Sequence, residues 1–519
     1  MKRLALYSTL FAMVSSTVLA AERTMPNIVV ILADDLGYGD VQGYNPERGK
    51  IPTPNIDRLA AQGMRFTDAH SSSGVCSPSR YTLLTGRYHW RSPLQNGIVS
   101  VFGAPLIKSD RVTIGGMARE HGYKTVCIGK WHLGWNWPMD RKQSPFIHFS
   151  GGKDDEAPPS EAHLAAWREV FSKPIKGGPT AVGFDEYFGT DVPNWPPYCF
   201  IENDRTVGIP SSFLPRAQRQ NHLADKPGPA TKDWKLEAIL PTLGQRASDY
   251  ITLQTKKGQP FLLYMSLTSP HTPIAPTPAW KGKSGLGAYG DFVMQTDAVI
   301  GQVLDALEKS GAAGNTLVVF TSDNGCAPYI GVQGMEAKGH FPSGPLRGYK
   351  ADVWEGGHRM PFIVRWPGVV NPGSMCGQLV QQADLMATFA DVIGTKLPDN
   401  VGEDSFSILP LLKGQDKPVR ENAVNCSIEG VPAIRQGSWK LILAPGSGGW
   451  SKGGAAQQPV QLYNLAEDLG ETKNLAAEQP ERVADMKALL EKLITQGRST
   501  PGAPQKNDVN VIRYPKGAR

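Results

Sequence analysis

Beyond its first twenty residues, the 519-residue chain has no run of about 18 apolar residues, so no later segment reads as a membrane span. Cysteine is scarce. Cys76, Cys127, Cys199, Cys326, Cys376 and Cys426 are scattered, without metal-ligand spacing and too few for a dense disulfide framework. A strong charge bias is also missing. Without Lys2 and Arg3, 52 basic side chains face 48 acidic ones, a formal net of +4. That balance excludes a nucleic-acid binder held by charge, yet suits a small anionic ligand. No internal repeat is visible, and no cysteine stands at the predicted leader cleavage site, which argues against a bacterial lipid anchor.

The first twenty residues have a leader's layout. Lys2 and Arg3 are followed by the apolar stretch Leu4 to Val14 and by Val18-Leu19-Ala20. This predicts a signal peptide over 1–20 and an exported protein, periplasmic or extracellular. The length predicts two domains, and the 56 Gly and 42 Pro predict many ordered loops between recurring apolar runs.

Taken in order, the chain alternates buried-strand and helix patterns. Asn27 to Ala33 is an unbroken β-branched run that ends in Asp34-Asp35. Thr53 to Ala60 has Thr53 as its N-cap and Pro54 at its first helical position, and Thr113 to His121 is helix-like up to Gly122. A second strand, Tyr123 to Gly129, delivers Lys130 and His132. Two apart in an extended segment, these would reach one ligand from the same side. A third, Pro260 to Leu267, delivers His271 between Pro270 and Pro273, and a fourth, Thr316 to Thr321, delivers Asp323 and Asn324. Asp291 to Ser310 and Gln382 to Ile393 are packing helices, and Met360 to Trp366 is a fifth strand. Residues 135–259 are the least regular part; their tryptophans suit either sugar faces or loop packing. After about residue 405 the texture becomes α+β, with a hairpin over 433–443 turning on Gln436-Gly437, a strand over 461–465 and an amphipathic helix from Glu481 to Gln496.

The fold class is therefore α/β: a large, mixed but mostly parallel central sheet flanked by helices over 21–405. A small α+β subdomain with an antiparallel sheet follows over 406–519. In such sheets ligands bind outside the carboxyl ends of the strands. Those ends offer three carboxylates, Asp34, Asp35 and Asp323, together with the Asn324 amide. An all-oxygen set of this charge calls for Ca²⁺ or Mg²⁺. Val75-Cys76-Ser77-Pro78-Ser79-Arg80 adds a cysteine on a turn before a helix-compatible run, with a planar cation four residues on. Lys350, in Leu346-Arg347-Gly348-Tyr349-Lys350, returns another cation.

These motifs resemble the type I sulfatases of the alkaline phosphatase superfamily, arylsulfatases and exolytic glycosaminoglycan sulfatases among them. The likeness rests on Cys76-Ser77-Pro78-Ser79-Arg80, Leu84-Thr85-Gly86-Arg87, Gly129-Lys130-Trp131-His132, Asp34-Asp35, Ser322-Asp323-Asn324-Gly325 and the Lys350 segment. It extends to Leu462-Tyr463-Asn464-Leu465 near the end. The resemblance implies an alkaline phosphatase-like fold and hydrolysis of a sulfate ester on a carbohydrate or aryl group. It implies that a formylglycine-generating enzyme converts Cys76 to formylglycine, whose hydrate attacks sulfur. It further implies one Ca²⁺ held by Asp34, Asp35, residue 76, Asp323 and Asn324. Arg80, Lys130 and Lys350 would face the sulfuryl oxygens, His271 would protonate the leaving alcohol, and His132 would serve the elimination step. A formylglycine-dependent phosphodiester or phosphonate monoester hydrolase, and a non-catalytic binder of sulfated glycans, are the alternatives. The substrate-reading residues are expected within 94–110, 135–230 or 326–346, on a galactose- or N-acetylgalactosamine-type sulfate.

Overall fold

Each unbroken apolar run becomes a strand in the middle of one sheet. The computed structural model describes residues 25–147, 158–215, 225–453 and 458–514, so the leader-like segment 1–20 lies outside the described residues. In chain order the main sheet comprises β1 (Asn27–Asp34), β2 (Met64–Phe66), β3 (Lys124–Lys130), β4 (Glu186–Thr190), β5 (Ile201–Glu202), β6 (Arg205–Thr206), β7 (Phe261–Pro270), β8 (Thr316–Ser322), β9 (Phe362–Arg365) and β10 (Ser374–Cys376). Their spatial order is β10-β2-β9-β8-β1-β7-β3-β4-β5-β6. The central five, β8-β1-β7-β3-β4, run parallel, with Ile28 level with both Leu262 and Leu317. β9 and β5 run against their neighbours, so the sheet is mixed.

The helices are α1 (Pro54–Ala61), α2 (Cys76–Thr85), α3 (Ile114–Glu120), α4 (Glu161–Phe171), α5 (Ile239–Lys257), α6 (Ala288–Ser310), α7 (Leu385–Ile393) and α8 (Pro480–Gln496). Alternation along β1 assigns them to two faces. Ile28, Val30 and Leu32 pack with Tyr81 and Leu84 of α2, Met117 of α3 and Phe389 of α7. Val29, Ile31 and Ala33 pack with Leu59 of α1, Leu243 and Ile251 of α5 and Val293 and Ile300 of α6. The result is a three-layer α/β/α core. Among the described residues no helix is long and apolar enough to cross a membrane.

Two sequence expectations change, and one open alternative is decided. Residues 135–259 hold two full helices, α4 and α5, and strand β4. The α5 pattern Leu240, Leu243, Ala247, Tyr250, Ile251 is regular, but Pro241 in its first turn disguised it. Thr53 does not cap α1: its hydroxyl accepts from Gln42 N (3.0 Å), and Asp297 of α6 takes the Asn55 and Ile56 amides instead. The tryptophans of the irregular stretch mostly pack loops, with Trp135, Trp137 and Trp167 buried.

The C-terminal sheet is β11 (Asn422–Cys426), β12 (Pro432–Gln436), β13 (Trp439–Ile442) and β14 (Gln461–Asn464), antiparallel throughout. The β12–β13 turn falls on Gly437-Ser438, one step beyond the expected Gln-Gly. One face carries Val424, Ile434 and Leu441 against Met486 and Leu490 of α8 and against Tyr88 and Trp90. The other carries Ala433, Ile442 and Tyr463 against Val353 and Trp354. Backbone bonds join Cys426 to Ser72 and Gly74 (both 2.9 Å), so this sheet is hooked to the segment leading into α2.

Burial also sets how the fold responds to acid. His89, buried just after α2, is pushed down to about 3 by desolvation. His70 and His358 are also lowered, by burial first. Unfolded, each takes up a proton near pH 6.5; folded, each stays neutral to a lower pH. Stability is therefore full above about pH 6.5 and falls as pH drops, by about 1.4 kcal/mol per unit for each such histidine. Thermal scans between pH 7 and 4 should show a steadily falling Tm, flattened in His89→Gln. A Tm independent of pH over that range would contradict this burial.

Candidate active site

Four adjacent parallel strands end side by side. β8, β1, β7 and β3 span about 14 Å at the usual strand spacing. They deliver Asp323 and Asn324, Asp34 and Asp35, His271, and Lys130 with His132. Two neighbouring acids on an extended backbone would point to opposite faces. Asp35 avoids this by adopting the left-handed region (φ +62°), which Asp tolerates better than most residues. Both carboxylates then share one cluster with His271, within 4.8 Å.

The buried charges form a lower tier. Lys130 Nζ donates to both Asp34 oxygens (3.0 and 2.8 Å), and Lys350 Nζ donates to Asp35 Oδ2 (2.6 Å). Arg80 sends Nε and Nη2 to Asp323 Oδ2 (3.0 and 2.7 Å) and Nη1 to the Lys130 carbonyl and to Ser266 Oγ. Its Nη2 also lies 3.4 Å from Asp34 Oδ1. Three carboxylates thus meet three cations. Burial alone would raise Asp34, but Lys130 above all, then His271 and Arg80, holds it far below the usual carboxylate range. Asp323 is raised, by burial first and by the neighbouring Asp34, against the pull of Arg80. Gly129 (φ +118°) ends the β3–β7 pairing beside the Ser266 carbonyl, where any side chain would collide.

Above this tier lies a cavity of about 250 Å³ lined by Cys76, His132, His271, Lys350, Trp195 and Trp450 among others. Cys76 is the first residue of α2, so the unpaired amides of the first turn lie beside it. Burial pushes its thiol up, with Lys130 and Lys350 only partly opposing. His271 donates Nδ1–H to the Thr272 carbonyl (2.6 Å), leaving Nε2 3.7 Å from Asp35 Oδ2. Burial, then Lys350, lowers it to about 4. His132 was expected to share Lys130's side through an extended backbone; instead it takes a left-handed conformation (φ +53°). Its Nε2 donates to the Val99 carbonyl (3.0 Å), its amide donates to Asp191 (3.2 Å), and Nδ1 is buried with no hydrogen-bond partner. Burial, then Lys130, keeps it well below the usual histidine range.

The structure therefore brings all ten predicted residues together, in two tiers. Arg80, Lys130, Asp34, Asp35, Asp323 and Asn324 lie beneath the cavity wall; Cys76, His132, His271 and Lys350 line it. The sequence reading missed Asp191, which holds the His132 loop, and Ile428 and Trp450, which enter the cavity from the C-terminal subdomain. Only the hooking of β11 beside Gly74 could have signalled the latter, and it is a tertiary contact. Among the described residues a second buried cluster, His70, Glu355 and His358, supports the site from behind. His70 and His358 share a hydrogen bond between their Nδ1 atoms (3.0 Å), and Lys440 of β13 bonds Glu355 (2.9 Å). Lys440, Arg359 and Arg435 already balance Glu355, so the cluster reads as a brace between the Cys76 and Lys350 segments.

A divalent cation fits the lower tier on its own chemistry. Asn324 donates Nδ2 to Asp35 Oδ1 (2.7 Å), while its Oδ1 is buried without any partner. Such an orphaned oxygen among three carboxylates is the donor set of a hard cation.

The Sulfatase family profile matches residues 26–395, and the profile of the N-sulphoglucosamine sulphohydrolase C-terminal region matches 349–499. The chain belongs to the sulfatase family. Over 512 residues this sulfatase is 33% identical to an N-acetylgalactosamine-6-O-sulfatase of Bacteroides thetaiotaomicron, covering 91% of this chain and 93% of that one. It is 31% identical to human arylsulfatase A, covering 94% and 93%. A Bacteroides thetaiotaomicron sulfatase, solved in work on the metabolism of multiple glycosaminoglycans, superposes with a TM-score of 0.74 at 30% identity, over 91% of this chain and 99% of the other. The enzyme is a sulfuric ester hydrolase, and its sheet and C-terminal subdomain are those expected of the family.

Proposed function

We propose that this sulfatase releases sulfate from a sulfated carbohydrate, using a formylglycine made from Cys76 and one bound Ca²⁺. The observation that carries this reading is the state of Cys76. It sits at the wall of the cavity, over an oxygen-rich tier, yet its thiol is raised by burial and would be a poor nucleophile at neutral pH. The hydrated aldehyde supplies a hydroxyl nucleophile and, through its second hydroxyl, a route to sulfate release. Because Cys76 and Arg80 are both buried in α2, the formylglycine-generating enzyme must act before the chain folds. The leader-like segment 1–20 supports export.

Asp34, Asp35, Asp323, the Asn324 Oδ1 and an oxygen of the converted residue 76 would hold Ca²⁺. When bound, the cation adds positive charge next to the sulfuryl oxygens. Lys350 is the cation at the cavity wall that meets the sulfate directly. Lys130 and Arg80, paired with Asp34 and Asp323 and absent from the cavity lining, hold those carboxylates in position, where the resemblance implied direct sulfate contact. His132 offers its unpartnered Nδ1 to a hydroxyl proton at residue 76. His271 presents Nε2, with Nδ1 fixed by Thr272, for the leaving oxygen.

Because His271 is lowered to about 4, its protonated fraction shrinks as pH rises above that value. On sugar sulfates, whose alkoxide leaves poorly, His271→Ala should cost about 10²- to 10³-fold in kcat. On 4-nitrophenyl sulfate, whose phenolate needs no proton, the loss should be much smaller. Equal losses on both would remove His271 from the leaving-group role.

The named activity of the Bacteroides thetaiotaomicron relative supports a galactose- or N-acetylgalactosamine-type sulfate as substrate. The test is sulfate release from defined sulfated mono- and disaccharides. Preference for a galacto-configured sulfate supports the reading; hydrolysis of aryl phosphate diesters in preference to every sulfate would overturn it.

A further inference from the structure

The cavity has one wall that the main domain does not make. Trp450 and Ile428 reach it from the C-terminal subdomain. Trp450 is 43% exposed, where most of the chain's other tryptophans are buried or partly buried. It stands in Gly446-Ser447-Gly448-Gly449-Trp450, a stretch whose composition suggests a loose loop. Its contacts say otherwise. Ser447 O accepts from Val353 N (2.9 Å), Ser451 N donates to Asp352 Oδ1 (3.0 Å), and Ser447 Oγ bridges the Ser451 carbonyl and the Gly449 amide. Gly449 lies directly on the Ala351 carbonyl and the Asp352 carboxylate, where a Cβ would collide. The neighbouring Ile428 amide donates to the Ala351 carbonyl (2.9 Å). The segment so gripped is the one that follows Lys350.

The backbone that carries the indole is thus tied to the segment after the cation at the cavity wall, and the side chain stays partly open to solvent. Tyr329 meets it at a tilt (centroids 5.8 Å, 44°), forming an aromatic corner. A rigid, exposed, amphipathic ring beside an anion site is the wrong element for packing and the right one for a ligand's apolar face. The cavity of about 250 Å³ is of the size of one pyranose ring with its sulfate.

From this geometry we infer that Trp450 is a specificity-determining residue: it stacks on the C–H face of a terminal sulfated hexopyranose while Lys350 and residue 76 take its sulfate. The inference rests on the proposed hydrolysis of a sulfated carbohydrate. The stacking is the same in ground and transition states, so it sets binding of the sugar and not the rate of S–O cleavage.

The test uses the full, matured chain with N-acetylgalactosamine 6-sulfate as the probe. In Trp450→Ala, KM should rise about 10- to 100-fold with kcat changed less than about threefold, and Trp450→Phe should recover most of the loss. Inhibition by inorganic sulfate, which needs only the anion site, should be unchanged; a matching loss there would mean that Trp450 merely braces the Lys350 segment, and would overturn the inference. Calorimetric binding of the same sugar sulfate to Cys76→Ala gives a readout free of turnover. Binding that disappears when Trp450→Ala is added supports the stacking; binding that is undiminished, or absent from Cys76→Ala itself, contradicts it. If the parent chain hydrolyses the probe and Trp450→Ala matches it, Trp450 fails and the hydrolase reading stands. If the matured parent hydrolyses no sulfate ester, the hydrolase reading itself fails.

Discussion

Replacing Cys76 by alanine should abolish sulfate release, lowering kcat/KM by about 10⁴-fold or more, while the folded chain keeps its Tm within a few degrees. The size of the effect follows from what the residue does in the proposed reaction: it carries the nucleophile, and no other side chain on the cavity wall replaces it. The small structural effect follows from position. Cys76 begins α2 at a cavity edge, so losing one sulfur there removes little packing. A chain whose Cys76 remains a thiol should behave like the alanine variant, because burial holds that thiol neutral. Circular dichroism and a thermal scan check the fold; sulfate release from 4-nitrophenyl sulfate and from a sugar sulfate checks the loss. Turnover by the alanine variant within tenfold of the parent would contradict the assignment.

Removing divalent cations has the second largest effect. Exhaustive chelation should lower activity at least about 100-fold, and Ca²⁺ should restore it. The prediction also has a thermodynamic readout. A cation that binds only the folded chain adds about 2.7 kcal/mol of stability at 100 times its Kd, visible as a rise in Tm even in the inactive Cys76→Ala chain. Asn324 provides the specific check. Its Oδ1 is buried with no partner, whereas the carboxylates beside it already hold Lys130, Lys350 and Arg80. Asn324→Leu keeps the volume and removes the oxygen, so it should shift the Ca²⁺ dependence of both Tm and activity to higher concentration. If chelation changes neither, the lower tier is a self-compensated charge cluster and not a metal site.

How much of this was legible in the sequence differs by element. β1, β3, β7 and β8 were legible because strands buried on both faces read as unbroken apolar runs, and the residues after them are those that reach the site. α5 was hidden by Pro241, which is harmless in a first turn yet reads as a breaker. The backbone conformation of Asp35 and His132 could not be read, because left-handed φ at a non-glycine residue is set by surrounding contacts, here Asp323 Oδ1 on the Asp35 amide (3.1 Å) and Asp191 on the His132 amide. The ion pairs explain a second difference. From sequence alone three clustered acids appeared to require a metal; the fold places Arg80, Lys130 and Lys350 on them one for one. In the proposed reaction Arg80 and Lys130, which lie beneath the cavity wall, hold the carboxylates, and Lys350, which lines the cavity, meets the sulfate. Trp450 was invisible for another reason. It is more than 370 residues from Cys76 in sequence, and only the packing of β11 and the Ser447–Ser451 loop on the 351–353 segment brings it to the cavity.

In the proposed reaction residue 76 works as an aldehyde and not as a thiol. The most direct measurement prepares the chain with graded degrees of conversion, by co-expression with increasing amounts of a formylglycine-generating enzyme. The converted fraction is read from the mass of the peptide that contains residue 76, and sulfate release is read from each preparation. Specific activity should rise in proportion to the converted fraction and extrapolate to nothing where Cys76 is fully a thiol. Full activity in a preparation whose Cys76 is quantitatively alkylated as a thiol after unfolding would contradict the account.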